Sequence, residues 1–149
     1  MPRKHTETHE MKSKNTFATE AHGNTWTTRM EEEEITFKIR GCVFEVFRVL
    51  GAGFLEQVYQ QALLRELEVQ GLRAESQRAL EVTYKGKSVG VYLADILVED
   101  RIVLELKAVQ SLTKAHEAQL LNYLKASGKR VGLLVNFAHP LAEIRRFVL

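Results

Sequence analysis

Apolar positions along this chain change their period twice, and each change marks a switch of element. Ile39, Val43, Val46, Phe47 and Leu50 recur at helical spacing. The run Glu31 to Glu34 favours a helix start nearby, because carboxylates stabilise the positive end of the helix dipole. Gly51 and Gly53 break that helix. A second is predicted from about Leu55 to Gln70, with Leu55, Val58, Tyr59, Ala62, Leu63 and Leu67 inward and Gly71 as its stop. The period then becomes two. Ala79 to Tyr84 alternates, Lys85-Gly86-Lys87 turns, and Val89 to Val98 returns as a second strand. Glu99-Asp100 turns again into a third strand, Arg101 to Val109. Thr113 to Ala126 reads as a helix, with Thr113 as N-cap and Gly128 as stop. Val131 to Phe137 is wholly apolar, as expected in the parallel interior of a sheet. After Pro140 the last segment reads as helix or edge strand. The predicted order is ααβββαβ, an α/β domain in which a three-stranded meander is followed by a crossover helix and a parallel strand.

Residues 1–33 differ in kind. They are rich in Thr, His, Lys and Glu and show no apolar period, so a disordered tail is expected before a domain at 34–149. Trp26 is the one residue there suited to docking. His5, His9 and His22 have metal-ligand chemistry but no pattern that would fix their geometry.

Composition narrows the picture only a little. A chain of 149 residues has material for one core. No apolar run approaches the roughly 20 residues that span a bilayer, and the N-terminus has no apolar signal region. Cys42 is the only cysteine, which excludes an internal disulfide and a cysteine-built zinc site, and fits a buried residue in a reducing cytoplasm. Five Lys/Arg and six Asp/Glu fall in residues 1–33, so the rest of the chain stands at +3. That suits an anionic substrate without the dense basic stripe of a strong non-specific nucleic-acid binder.

The chemistry lies in two of the strands. Asp95 interrupts the apolar run Tyr92 to Val98, and Glu105 and Lys107 sit two apart in Ile102 to Lys107. Side chains at i and i+2 of a strand share a face. A tight turn places the strands of Asp95 and Glu105 side by side, so both carboxylates can converge on one hard cation, with Lys107 beside the attacking water. The plain alternative is a cross-strand salt bridge on a solvated face. Glu56 and Tyr59 lie one turn apart on the second helix, and Gln119 and Tyr123 share a face of the crossover helix. Either pair alone fits an ordinary amphipathic helix.

Taken together, this order of motifs resembles the PD-(D/E)XK nuclease superfamily, whose fold is the restriction-endonuclease-like core. Gln119 and Tyr123 resemble the helix motif of its exonuclease branch. Gly53-x-x-Glu56-x-x-Tyr59, Ala94-Asp95, Val103 to Val109 and His116 to Tyr123 look more narrowly like the small family called GxxExxY, over about residue 34 to the end. The resemblance implies metal ligands at Asp95 and Glu105, the Leu106 carbonyl as a third, and Glu56 as a first-helix acid on the metal. It implies Lys107 as the water-orienting base or electrostatic stabiliser, and Gln119 and Tyr123 as positioners of a phosphate or strand end. Two residues depart from the pattern. Ala94 stands for the named proline, and Phe47 stands where the family often has a histidine. His116 is read as a cap or surface contact.

The expected function is therefore a Mg²⁺- or Mn²⁺-dependent nuclease acting on DNA or RNA in the cytoplasm, without a membrane. A non-catalytic nucleic-acid- or partner-binding module on the same fold is the alternative, using Arg73, Arg78, Lys125, Lys129 and Arg130. A protein partner or homodimer is left open.

Overall fold

A computed structural model describes residue 29, residues 31–138 and residues 140–149. The predicted tail, with Trp26 and the three histidines before it, lies outside the described residues except for residue 29 and residues 31–33. The chain divides into two units at Glu34 and Ile35. In the first, the described residues are helical. Everything below concerns the second.

Its elements follow the hydrophobic pattern closely. Helix α1 covers residues 35–50, and α2 is Glu56–Val69. Strands β1 (Ala74–Tyr84), β2 (Lys87–Val98) and β3 (Ile102–Lys107) form the meander. Helix α3 (Lys114–Ser127) crosses to β4 (Val131–Asn136), and β5 (Glu143–Val148) ends the chain. The five strands lie in the order β1-β2-β3-β4-β5, with only β3 and β4 parallel. The segment after Pro140 thus resolves as an edge strand, and the full order is ααβββαββ.

Turn chemistry explains the meander. Lys85 and Gly86 both have positive φ, 49° and 77°, as do Glu99 and Asp100, at 52° and 54°. Two successive left-handed residues match the twist of paired strands. Glu99 is further held by the Arg73 backbone N–H, which donates to Glu99 Oε1 at 2.9 Å, and by an ion pair with Arg73. Strand β1 begins five residues earlier than its alternation predicts, because residues 74–78 are mostly polar and carry no apolar period.

The sheet is covered on both faces, as a parallel pair requires. Ile96, Val98, Ile102, Leu104, Leu106, Val131, Leu133 and Val135 pack with Ile39, Val43, Tyr59, Leu63 and Leu67 of α1 and α2. Ala94, Leu97, Val103 and Leu134 pack with Leu120, Tyr123 and Leu124 of α3. A Cβ at Gly132 would meet the Leu120 side chain at 2.9 Å, so glycine sets how closely α3 approaches β4. Leu55 and Val58, predicted inward, are exposed instead. Leu55 is the extended N-cap residue of α2 and Val58 lies in its first turn, before the buried stripe begins at Tyr59 and Gln60. Among the described residues no helix is long and apolar enough to cross a membrane.

Candidate functional site

Strand β2 leaves β3 at one residue, and that residue is Asp95. The β2–β3 ladder pairs Val98 with Ile102, Leu97 with Val103 and Ile96 with Leu104, and stops there. The next ladder partner is replaced by a side chain: the Leu106 backbone N–H donates to Asp95 Oδ2 at 2.8 Å. A backbone donor that the sheet would have satisfied is thus satisfied by a carboxylate, which fixes the carboxylate beside β3. On the other side, Gln77 of β1 also hydrogen-bonds the Asp95 carboxylate. Gln77 has φ 51° inside a strand, a conformation that costs energy for a residue with a side chain. Gln60 of α2 donates to the Asp95 carbonyl at 3.2 Å.

Glu105 lies on the α3 side of β3, between Val103 and Lys107, and is only 6% exposed. Burial pushes its carboxyl up to about 8, the neighbouring Asp95 charge adds to the rise, and a hydrogen bond from the Asp95 backbone opposes it. Asp95 is raised as well, chiefly by burial, against the pull of the Leu106 N–H and of Lys107. The two carboxylates titrate as a pair. Glu105 Oε1 is buried and has no hydrogen-bond partner. Glu56 is also raised by burial. It feels the positive charge of Lys107 and the negative charge of Asp95, so the start of α2 looks into the same space. Among the described residues, however, no three His, Cys, Asp or Glu side chains come together closely enough to hold a metal ion. The structure gathers two carboxylates, with the third at longer range.

Lys107 shares the strand face of Glu105 as predicted, yet its ammonium forms no ion pair with Glu105 or Asp95 among the described residues; its influence on them is through space. Its backbone is held firmly. The Phe137 N–H donates to the Lys107 carbonyl at 2.8 Å. Two residues on, the buried Asn136 amide both accepts from the Val109 N–H and donates to the Val109 carbonyl, each at 2.9 Å.

Helix α3 brings the other two predicted residues. Tyr123 is nearly buried and is held above the usual phenol range by burial and by the Glu105 charge, while Gln119 hydrogen-bonds it. The helix start is fixed by a reciprocal cap. Thr113 Oγ1 accepts from the His116 N–H at 3.3 Å, and His116 Nδ1 accepts from the Thr113 N–H at 3.1 Å. His116 therefore caps its helix. Tyr59 has a structural place. Its ring stacks on Phe137 at 4.4 Å, and its hydroxyl donates to the Gly51 carbonyl at 2.5 Å and accepts from the Phe54 N–H at 3.2 Å. It pins the glycine loop that sets where Glu56 begins α2.

Sequence reasoning missed Gln60 and Asn136, which hold backbone, and Gln77, which holds the Asp95 carboxylate. Asn136 was signalled by its place as the one polar residue ending an otherwise apolar strand. Gln77 left no signal, because its role depends on the strand opposite.

No functionally curated protein matches the sequence. Among solved structures, the chain is similar to "Crystal structure of SSO0001", with 23% identity and a TM-score of 0.48 over 62% of this chain and 50% of that one. It is also similar to an alkaline exonuclease, LHK-Exo, from Laribacter hongkongensis, with 14% identity and a TM-score of 0.42 over 73% of this chain and 68% of that one. The chain spans about half the length of the first of these. A family model described as the PD-(D/E)XK nuclease superfamily matches residues 33–147, which include every residue of the site above, and the chain belongs to that superfamily.

Proposed function

We propose that this protein is a metal-dependent nuclease that hydrolyses phosphodiester bonds of DNA or RNA, with Asp95, Glu105 and Lys107 at its centre. The observation that carries the reading is Glu105. An ionised carboxylate on a central strand, 6% exposed, beside a second carboxylate and with one oxygen unpartnered, destabilises the fold unless it takes up a proton or a positive group joins it. A salt bridge to Lys107 would have relieved it, and none forms among the described residues. A hard divalent cation fits the donor set. Asp95 and Glu105 would hold Mg²⁺ or Mn²⁺ together with the Leu106 carbonyl, and Glu56 would add its negative charge from the start of α2. When bound, the ion supplies a nucleophilic water at neutral pH and charge stabilisation at the phosphate.

The remaining roles belong to the chain. Lys107, without an ion pair among the described residues, orients the attacking water and stabilises charge building on the phosphate. Gln119 and Tyr123, already hydrogen-bonded to each other, position the phosphate or strand end from α3. The Gly53-x-x-Glu56-x-x-Tyr59 turn supports the narrower placement in the GxxExxY family. Phe47 is partly buried against the core, so α1 offers no histidine ligand at that position. The binding-module alternative gains no specific support. Arg73, Arg78 and Lys129 are held by Glu99, Glu75 and Asp100.

The test is cleavage of labelled single- and double-stranded DNA and RNA with Mg²⁺, Mn²⁺ or EDTA in parallel. Cleavage that needs metal and falls about 10²–10³-fold in Lys107→Ala is expected. Metal-independent cleavage, or equal cleavage by the variant, would overturn the reading.

A further inference from the structure

A groove of about 380 Å³ opens between the β1–β2 hairpin and the C-terminal half of α3, lined by Val82, Thr83, Tyr92, Asn122, Lys125 and Ala126. No role described so far uses it. It begins one ring away from the carboxylates. Tyr92 stands opposite Leu80 on the α3 side of the hairpin, and its ring packs on Tyr123 with centroids 4.4 Å apart at 51°. Tyr123 in turn feels the charges of Glu105 and Asp95.

The lining has two chemistries. Tyr92 is 39% exposed, so part of its ring is covered by Tyr123 and part is open to the groove. Asn122, Lys125 and Ala126 lie at i, i+3 and i+4 and face it from one side of α3. Lys125 has no hydrogen bond or ion pair among the described residues, whereas nearby Lys129 is tied to Asp100. An exposed aromatic ring beside an uncommitted ammonium is the recognition chemistry of a single nucleic-acid strand. The base stacks and the backbone phosphate meets the cation. A base inside a duplex has both faces covered by its neighbours, so Tyr92 can receive only a base that is out of the stack.

We propose that this groove is a nucleotide subsite for single-stranded nucleic acid, with a base on Tyr92, the adjoining phosphate at Lys125, and Asn122 hydrogen-bonding the base or sugar edge. The proposal rests on the nuclease reading for the direction of the strand, which would run from the groove past Tyr123 to Asp95 and Glu105. It makes the substrate of that site a single strand.

The test measures binding without cleavage. Fluorescence anisotropy in EDTA follows the full chain with a labelled deoxyadenylate oligomer, and with an oligomer of equal length made of abasic sites. Tyr92→Ala should weaken the adenylate oligomer about tenfold, the size of one lost base stack, and leave the abasic oligomer unchanged. Tyr92→Phe keeps the ring and should bind as wild type does. Lys125→Ala should weaken both oligomers. Equal loss on both oligomers in Tyr92→Ala, no loss on either, or tighter binding of a duplex with no effect of Tyr92→Ala would each overturn the subsite. Cleavage is assayed separately with Mn²⁺. Wild-type cleavage with unchanged binding in Tyr92→Ala sinks the subsite and leaves the nuclease standing. The expected binding pattern in a protein that cleaves nothing supports the subsite and sinks the nuclease.

Discussion

Strand β2 runs through two environments. From Ala94 to Val98 it is paired with β1 at every residue but Asp95 and with β3 over its last three residues, and Ile96 and Val98 are fully buried. From Lys87 to Leu93 it pairs only with β1, and Val89 and Val91 are each 60% exposed. Both halves carry large apolar residues, Val89, Val91 and Leu93 on the one and Ile96, Leu97 and Val98 on the other. What differs is the neighbour, for β3 is six residues long and β2 is twelve. The same apolar run therefore builds a core at one end and an exposed arm at the other. Asp95 stands at the junction, close enough to the core for burial to alter its acidity and close enough to the arm for a ligand to reach it.

The contrast is broken most strongly by large-to-small substitutions on its buried side. Leu104→Ala, on β3, should cost about 2–5 kcal/mol in denaturant unfolding, whereas Val91→Ala on the arm should stay within about 0.5 kcal/mol. Similar losses at both positions would mean that something covers the arm in solution. At the junction itself, Lys107→Ala should slow cleavage about 10²–10³-fold, some 2.7–4 kcal/mol of barrier, with strand binding nearly unchanged. A loss of affinity as large as the loss of rate would make Lys107 a binding residue.

The next effect is on pH dependence. The Glu105 carboxyl is pushed up to about 8 from its ordinary value of 4.5. Between those values the native state retains a proton that the unfolded chain has released. Unfolding then releases a proton, so stability contributed at this position falls as pH rises from about 4.5 to about 8. In EDTA the melting temperature of the wild type should drop across that window relative to Glu105→Gln. Millimolar Mg²⁺ or lower Mn²⁺ should restore it in the wild type alone, because the cation binds only the native pair. Parallel melting curves for the two proteins, with no response to cation, would sink the metal site. The smallest effect expected is at the α3 cap. Thr113→Ala removes one side of the reciprocal cap and should cost about 1 kcal/mol. Because α3 packs over the core half of β2 through Leu120, Tyr123 and Leu124 and meets the arm through Tyr123 on Tyr92, the metal-stimulated rate should change little if the helix stays docked.

Where elements begin, end and turn was legible in the chain because those signals are local. Thr113 and Gly128 bracket α3, Lys85-Gly86 and Glu99-Asp100 turn, and the unbroken run from Val131 announces a strand covered on both sides. Asp95, Glu105 and Lys107 were legible for a related reason. Charges in an apolar strand are expensive, so their presence needs an explanation wherever the strand ends up. The exposure of Leu55 and Val58 was not legible, since it depends on where the first turn of α2 lies relative to the sheet. Nor were the roles of Gln60, Gln77 and Asn136, whose partners lie 35, 18 and 27 residues away in the chain. The sequence by itself determined the elements and the residue types at the site, through propensity and period. Only the tertiary structure decided that Lys107 forms no ion pair among the described residues, that Glu105 Oε1 has no hydrogen-bond partner among them, and that Tyr92 reaches Tyr123. Each of those depends on which strand stops beside which, and strand pairing is set by contacts between residues that lie far apart along the chain.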